Sequence, residues 1–288
     1  MIEIHTAKEI QTIANTYRKE GKTIGFVPTM GFLHEGHMAL VKKARKDNDI
    51  VVMSIFVNPL QFGPGEDYEA YPRDIERDRK LAEEGGVDVL FTPAPEEMYK
   101  AESTVIASVK KRTDVLCGRS RQGHFDGVAT VLTKLFNLAS PTRVYFGMKD
   151  AQQVAVVDGL IDDFFMDIEL VPVDTVREED GLAKSSRNVY LTQSERKEAA
   201  ALYEALRHGA RLVSEGERNP DAVKKEIRGI LEKTSGVIDY AEIYSYPELK
   251  SLKTLSGKFI IAVAVKFSKA RLIDNIIIEI PDDQKEDE

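Results

Sequence analysis

Cysteine is nearly absent from this chain: Cys117 stands alone among 288 residues, so no internal disulfide can form. Long apolar runs are also missing. None approaches the ~18 residues that a membrane-spanning helix needs, so no membrane partner is expected. The opening residues, MIEIHTAKEI, lack the charged and then apolar pattern of a secretory signal, and a soluble cytoplasmic protein is expected. Positive charge is in short supply, with 40 Lys and Arg against 48 Asp and Glu and a net charge of −8. That balance argues against a surface built to neutralise a nucleic-acid backbone, while allowing a basic pocket inside an acidic body. No internal repeat or low-complexity tract interrupts the chain. At 42% hydrophobic it can bury a full core, and its length suits two domains.

The chain is organised around TIGFVPTMGFLHEGHMALVKKA, residues 23–44. An apolar run from Ile24 to Val27 breaks at Pro28, the chain passes Met30 and Gly31, and His34 and His37 precede Met38, Leu40, Val41 and Ala44 at helical spacing. This reads as strand, turn, helix. The two histidines then stand at the helix's opening turn, where unpaired N–H groups and the positive dipole end favour an anion.

Around this stretch, strands alternate with helices. A helix is expected over 8–20, strands over 49–58, 87–92, 143–146 and 168–173, and helices over 73–84, from 128 to about 138, and over 152–165. Such alternation predicts an α/β fold with a Rossmann-like, doubly wound parallel sheet. The loop after the second strand carries Asn58, Pro59 and Gln61, and Arg119, Arg121 and His124 fall on a loop leading into a helix. Gly147-Met148-Lys149-Asp150 closes a strand at its carboxyl end, where ligands bind in such sheets. From about Thr175 the pattern changes to the polar loop REEDGLAKSSRNVYL, two helices over 193–214 and 220–233, and three strands over 240–246, 258–267 and 272–280. The expected division is therefore 1–175 for the larger domain, 176–282 for a second, smaller α+β domain, and 283–288 for a disordered tail.

Each candidate also has an ordinary reading. His34 and His37 sit three apart with no obvious third ligand, against the four-residue spacing of a zinc-binding helix. Gly21-Lys22-Thr23 has Thr16 where a P-loop needs glycine, and it precedes a strand instead of following one. Arg119, Arg121 and His124 suit either a wet surface turn or a site, and Lys184, Ser185, Ser186 and Arg187 suit either phosphate or a linker. Lys149 and Asp150 alone could be a weak surface pair. A doubly wound sheet would bring these loops to one crevice.

The motifs resemble those of the pantoate–β-alanine ligase family, within the nucleotidyltransferase superfamily that includes class I aminoacyl-tRNA synthetases. PTMGFLHEGH is similar to its HIGH-type motif, FVNPLQF to its pantoate loop, GHFDGVATVLTKLFN to its central helix, YFGMKDAQQ to its lysine-aspartate motif and DGLAKSSRN to its KMSKS counterpart. The likeness is close over about residues 20–195. It implies an ATP-dependent ligation: pantoate's carboxylate attacks the α-phosphorus, giving pantoyl adenylate and pyrophosphate, and β-alanine's amine displaces AMP. It further implies His37, His34 and Lys149 as catalytic residues. The nucleotide would meet Met30, Gly147, Met148, Asp150, Val176, Lys184, Ser185, Ser186 and Arg187, and pantoate or β-alanine would meet Gln61, Gln153 and Asn58. Magnesium would travel with ATP, held mainly by phosphates, in a homodimer whose second domain acts as a lid. Two positions depart from the family's pattern. Methionine is usual where Lys184 stands, adding a cation that either grips phosphate or faces solvent, and proline is usual where Gln122 stands.

Other classes share parts of this pattern. A nucleotidylyltransferase would need a cationic acceptor pocket where this chain offers Gln61 and Gln153, and a tRNA-charging enzyme would need a basic RNA-binding module. A non-catalytic ATP-binding module would bind ATP without releasing pyrophosphate.

Overall fold

The apolar run of the central stretch becomes the middle of a parallel sheet. In the computed structural model, which describes residues 1–99 and 103–281, six strands form this sheet. They are β1 (Ile2–Ile4), β2 (Ile24–Thr29), β3 (Ile50–Ile55), β4 (Val89–Phe91), β5 (Arg143–Gly147) and β6 (Glu169–Val173), in the order β1-β4-β3-β2-β5-β6. From β2 the chain winds outward through β3 to β4, then returns to the other side for β5 and β6. The order therefore reverses between β2 and β5, where a doubly wound sheet opens its binding crevice. Pro28 does not end β2, as its sequence suggested. The strand continues to Thr29 because pairing with β5 covers only Gly25 and Phe26, so the missing N–H of Pro28 leaves no gap on that side.

The helices with this sheet are α1 (Ala7–Lys19), α2 (Glu35–Asp47), α3 (Ile75–Glu84), the short α4 (Pro95–Met98) and α5 (Leu116–Ser120), α6 (His124–Ala139) and α7 (Ala151–Asp163). Successive strand residues point to opposite faces. Val27, Met53, Leu90 and Tyr145 pack with Leu40, Val41 and Ala44 of α2, while Phe26 meets Phe136 of α6 edge-on at 6.4 Å. Helices thus cover both faces, which is why β2 and β3 read as near-continuous apolar runs. The doubly wound expectation holds.

The remaining elements are α8 (Gln193–Glu198), α9 (Ala201–Ser214), α10 (Pro220–Leu231) and the strands β7 (Val237–Ser245), β8 (Gly257–Lys266) and β9 (Arg271–Ile280). The three strands form an antiparallel sheet. Leu202 and Leu206 of α9 and Val223, Ile227 and Leu231 of α10 share one core with Phe259, Ile261 and Val263 of β8. This is the expected smaller α+β architecture, with the single helix expected over 193–214 divided into α8 and α9.

The chain divides into two compact units, Met1–Met148 with Val156–Val176, and Lys149–Ala155 with the residues from Arg177 onward. Relative to a boundary at 175/176, the opening of α7 groups with the second unit. The tail expected to be disordered, 283–288, lies outside the described residues.

Candidate active site

His34 caps α2 from an extended backbone conformation. Its Nδ1 accepts from Gly36 N at 3.1 Å, and its own backbone N–H donates to His37 Nδ1 at 3.3 Å. An imidazole nitrogen that accepts an N–H carries no proton, so both rings are neutral and each holds its proton on Nε2. The rings lie 4.1 Å apart, centroid to centroid. Gly36 is required for this fold-back, since a Cβ there would stand 2.8 Å from His34 Cε1. Two Nε2–H donors at the opening of a helix suit the oxygens of an anion.

The turn before these histidines is fixed from α3. Asp78 is buried and accepts from Phe32 N at 2.6 Å and Leu33 N at 2.7 Å, while Arg77 donates to Leu33 O at 2.8 Å. Burial pushes the Asp78 carboxyl above its usual range, against the opposing pull of the two N–H groups. The sequence showed α3 only as a charged helix, and nothing in its spacing marked Asp78.

Met30, Asn58 and Gln61 come together. Asn58 Nδ2 donates to Gln61 Oε1 at 3.2 Å and to Gly127 O at 3.1 Å, and Tyr99 Oη–H donates to Asn58 Oδ1 at 2.8 Å. Gln61 Nε2 donates to Met30 Sδ at 3.1 Å. Sulfur is a weak acceptor, so this contact holds the Gln61 amide only lightly. Gly127 permits the contact with α6, because a Cβ there would lie 2.3 Å from Leu60 O. Tyr99 is pinned from behind by Lys134, whose Nζ donates to Met98 O at 2.6 Å and sits 4.2 Å from the Tyr99 ring centroid. Burial raises the Tyr99 hydroxyl and lowers the Lys134 ammonium.

His124 does not lie on a loop as its sequence neighbours suggested. It opens α6 and is buried, its Nδ1 2.8 Å from Gln61 O and its Nε2 3.1 Å from Arg121. Arg121 also donates to Gln61 O at 3.2 Å and grips Glu66 through two hydrogen bonds of 2.8 and 2.6 Å. Burial raises the Glu66 carboxyl, and the Arg121 fork more than reverses this, leaving it below the usual range. Gly147 ends β5 with nothing within 4 Å of where a Cβ would lie, and Met148 follows it; Val176 stands after β6.

The second unit holds the remaining candidates. Lys149 Nζ lies 3.7 Å from Asp150 Oδ2, and Asn275 Nδ2 donates to Lys149 O at 2.9 Å. Asn275 N donates to Asp274, which Arg177 grips at 2.6 and 3.0 Å while also donating to Gly181 O and stacking 3.7 Å over Tyr203. A single network thus ties the start of the DGLAKSSRN loop to the backbone of Lys149. Gln153 lies in the first turn of α7. Ser185 caps the helical turn Ser186–Tyr190 by accepting from Arg187 N, and Ser186 is buried. Lys184 pairs with Glu178 at 2.7 Å, which neither of its two expected roles anticipated. Sequence reasoning missed Arg177, Asp274 and Asn275, although the polar pair interrupting the apolar run of β9 was a visible signal.

A sequence model of the pantoate-β-alanine ligase family matches residues 3–277. The pantothenate synthetase of Bacillus licheniformis is 80% identical over 287 residues, covering 100% of each chain. Among solved structures, the pantothenate synthetase of Thermus thermophilus is similar with a TM-score of 0.91 and 45% identity, over 96% of this chain and 99% of that one. The Francisella tularensis pantoate-β-alanine ligase, solved with β,γ ATP and β-alanine, gives a TM-score of 0.80 at 34% identity, over 96% and 97% of the two chains.

Proposed function

This chain belongs to the pantoate-β-alanine ligase family, and we propose from that premise how its residues divide the work. It is an ATP-dependent ligase that joins pantoate to β-alanine. The reaction proceeds in two steps. Pantoate's carboxylate, with a pKa near ~4, is already ionised at neutral pH, so its attack on the α-phosphorus needs charge neutralisation and in-line placement instead of a base. Pantoyl adenylate and pyrophosphate result. The neutral amine of β-alanine then attacks the acyl carbon and AMP leaves.

His34 and His37 offer Nε2–H donors to the triphosphate, with His37 the group that stabilises the departing pyrophosphate. Met30 lines the nucleotide cleft by its backbone, Gly147 and Asp150 meet the ribose, and Met148 between them contacts the nucleotide. Val176 touches adenine by its main chain, and Lys149 holds the outer phosphates. Lys184, Ser185, Ser186 and Arg187 belong to the loop over 181–190, whose role in this reading is to bind phosphate. Asn58, Gln61 and Gln153 hydrogen-bond pantoate. The observation that carries this reading is the bond of Gln61 to Met30, which joins the buried amides to the turn bearing the histidines.

Among the described residues no three His, Cys, Asp or Glu side chains gather into a metal cage. Magnesium would travel with ATP, held chiefly by phosphate oxygens and water, and would neutralise charge on the leaving pyrophosphate. No described helix is long and apolar enough to cross a membrane. A cytoplasmic homodimer is the proposed state, checked by sedimentation equilibrium at micromolar concentration.

The testing experiment is pantoate-dependent exchange of labelled pyrophosphate into ATP, with magnesium present and β-alanine absent. Exchange that requires pantoate supports the adenylate step; ATP binding without exchange would overturn it. Gln61→Ala is expected to weaken pantoate binding roughly tenfold or more, leaving ATP affinity nearly unchanged, since one buried amide pair is lost. Calorimetry finding equal pantoate affinity would remove Gln61 from the substrate site.

A further inference from the structure

We propose that His124, Arg121 and Glu66 are positioning residues for pantoate, acting through the backbone carbonyl of Gln61. The proposal rests on the reading of Gln61 as a pantoate-binding residue. None of the three offers a side chain to substrate in this role; they set where the Gln61 amide points.

The tautomer follows from the geometry. Arg121 can only donate, so the Nε2 of His124, 3.1 Å from its guanidinium, is the acceptor. The ring proton therefore sits on Nδ1 and is donated to Gln61 O at 2.8 Å. Arg121 donates to the same carbonyl at 3.2 Å, so this one oxygen receives two hydrogen bonds. Glu66 in turn fixes the guanidinium with two charge-assisted bonds of 2.8 and 2.6 Å. The order of restraint runs from Glu66 to Arg121, to His124, to the Gln61 backbone.

The arrangement confines the side chain as well. Gln61 belongs to a single helical turn, Pro59–Gln61, too short to hold its own orientation, and it rests on Gly127 of the helix that His124 opens. With its carbonyl clamped and its Oε1 taking the Asn58 amide, Gln61 turns its Nε2 toward Met30. A binding group held in one rotamer before substrate arrives loses less freedom on binding.

The test compares His124→Leu, His124→Asn, Gln61→Ala and the double variant Gln61→Ala/His124→Leu in steady-state kinetics, with thermal unfolding as a check on folding. His124→Leu removes the donor and should raise the pantoate KM about tenfold while the ATP KM stays within about twofold. His124→Asn, whose Nδ2 can take the place of Nδ1, should recover most of that loss. In the Gln61→Ala background, His124→Leu should add almost nothing, because the group being positioned is gone. Equal effects of His124→Leu with and without Gln61 would overturn the proposal, as would a parallel rise in both KM values. Should His124→Leu fail to fold, Arg121→Lys keeps the charge and loses the fork, and it must show the same pantoate-selective loss. If Gln61→Ala itself leaves pantoate KM unchanged, the underlying site reading fails; if it raises KM and His124→Leu does not, only the clamp fails.

Discussion

Replacing Lys149 with alanine is expected to lower kcat by roughly 10²–10³, the range found when one preorganised donor to developing charge is removed. The side chain is 21% exposed, and its ion pair with Asp150 spans 3.7 Å. A pair that loose contributes little to stability, so the substitution should leave folding almost intact. The backbone of Lys149 is held more firmly than its ammonium. Asn275 grips its carbonyl, and Asp274, beside Asn275, is locked by Arg177. On the proposed reading this sets the ammonium on a fixed base, beside the charge that develops on the leaving group. Single-turnover formation of the adenylate is the measurement. A Lys149→Ala enzyme that unfolds normally and forms adenylate at the parental rate would exclude Lys149 from the charge-neutralising role. Asn275→Ala offers a graded comparison, loosening the base while keeping the cation, and a smaller loss is expected from it.

Much of this architecture could be read from residue order, and the failures have a common cause. β2, β3, α2 and β5 were legible because both faces of the sheet are covered and the apolar runs are long. β1 was not: three residues at an edge, paired Ile2 to Val89 through Ile4 to Phe91, carry no periodicity. The candidate residues on strand ends were legible from turn chemistry and from the family's motifs. What escaped were groups whose meaning depends on a partner distant in sequence. His124 reads as a loop residue until its partner, the Gln61 carbonyl 63 positions earlier, is known. Tyr99 is likewise unremarkable in sequence, and its hydroxyl reaches Asn58 across 41 positions. Lys184 shows the reverse case, since a cation beside two serines suggests phosphate, and the fold gives it Glu178 as an ionic partner. Local pattern finds elements and motifs; it does not find the acceptors that fix them.

Asp78 belongs to that hidden class and carries the second large effect. Its two oxygens accept the backbone N–H groups of Phe32 and Leu33, the last residues before the His34 cap. Asp78→Ala would strand both donors in a largely buried site, at about 1–3 kcal/mol for each, so a loss of about 2–6 kcal/mol in unfolding free energy is expected. The catalytic effect follows from the same geometry. His34 and His37 owe their Nε2 protons and ring placement to the backbone of this turn, so loosening it moves two donors at once. A displacement of ~1 Å costs on the order of 10²-fold in rate, and the pyrophosphate exchange should fall by that much. Pantoate affinity should change less than the exchange rate, because Asn58, Gln61 and Tyr99 are held chiefly by α6 and Lys134 and only the weak Gln61–Met30 contact joins them to this turn. Asp78→Asn separates fold from function more cleanly. It keeps the volume and one acceptor oxygen but turns an NH₂ group toward a backbone N–H, so it should unfold earlier than the parent and later than Asp78→Ala. Exchange at the parental rate in a folded Asp78→Asn enzyme would mean that the histidine turn holds itself, and that α3 merely covers it.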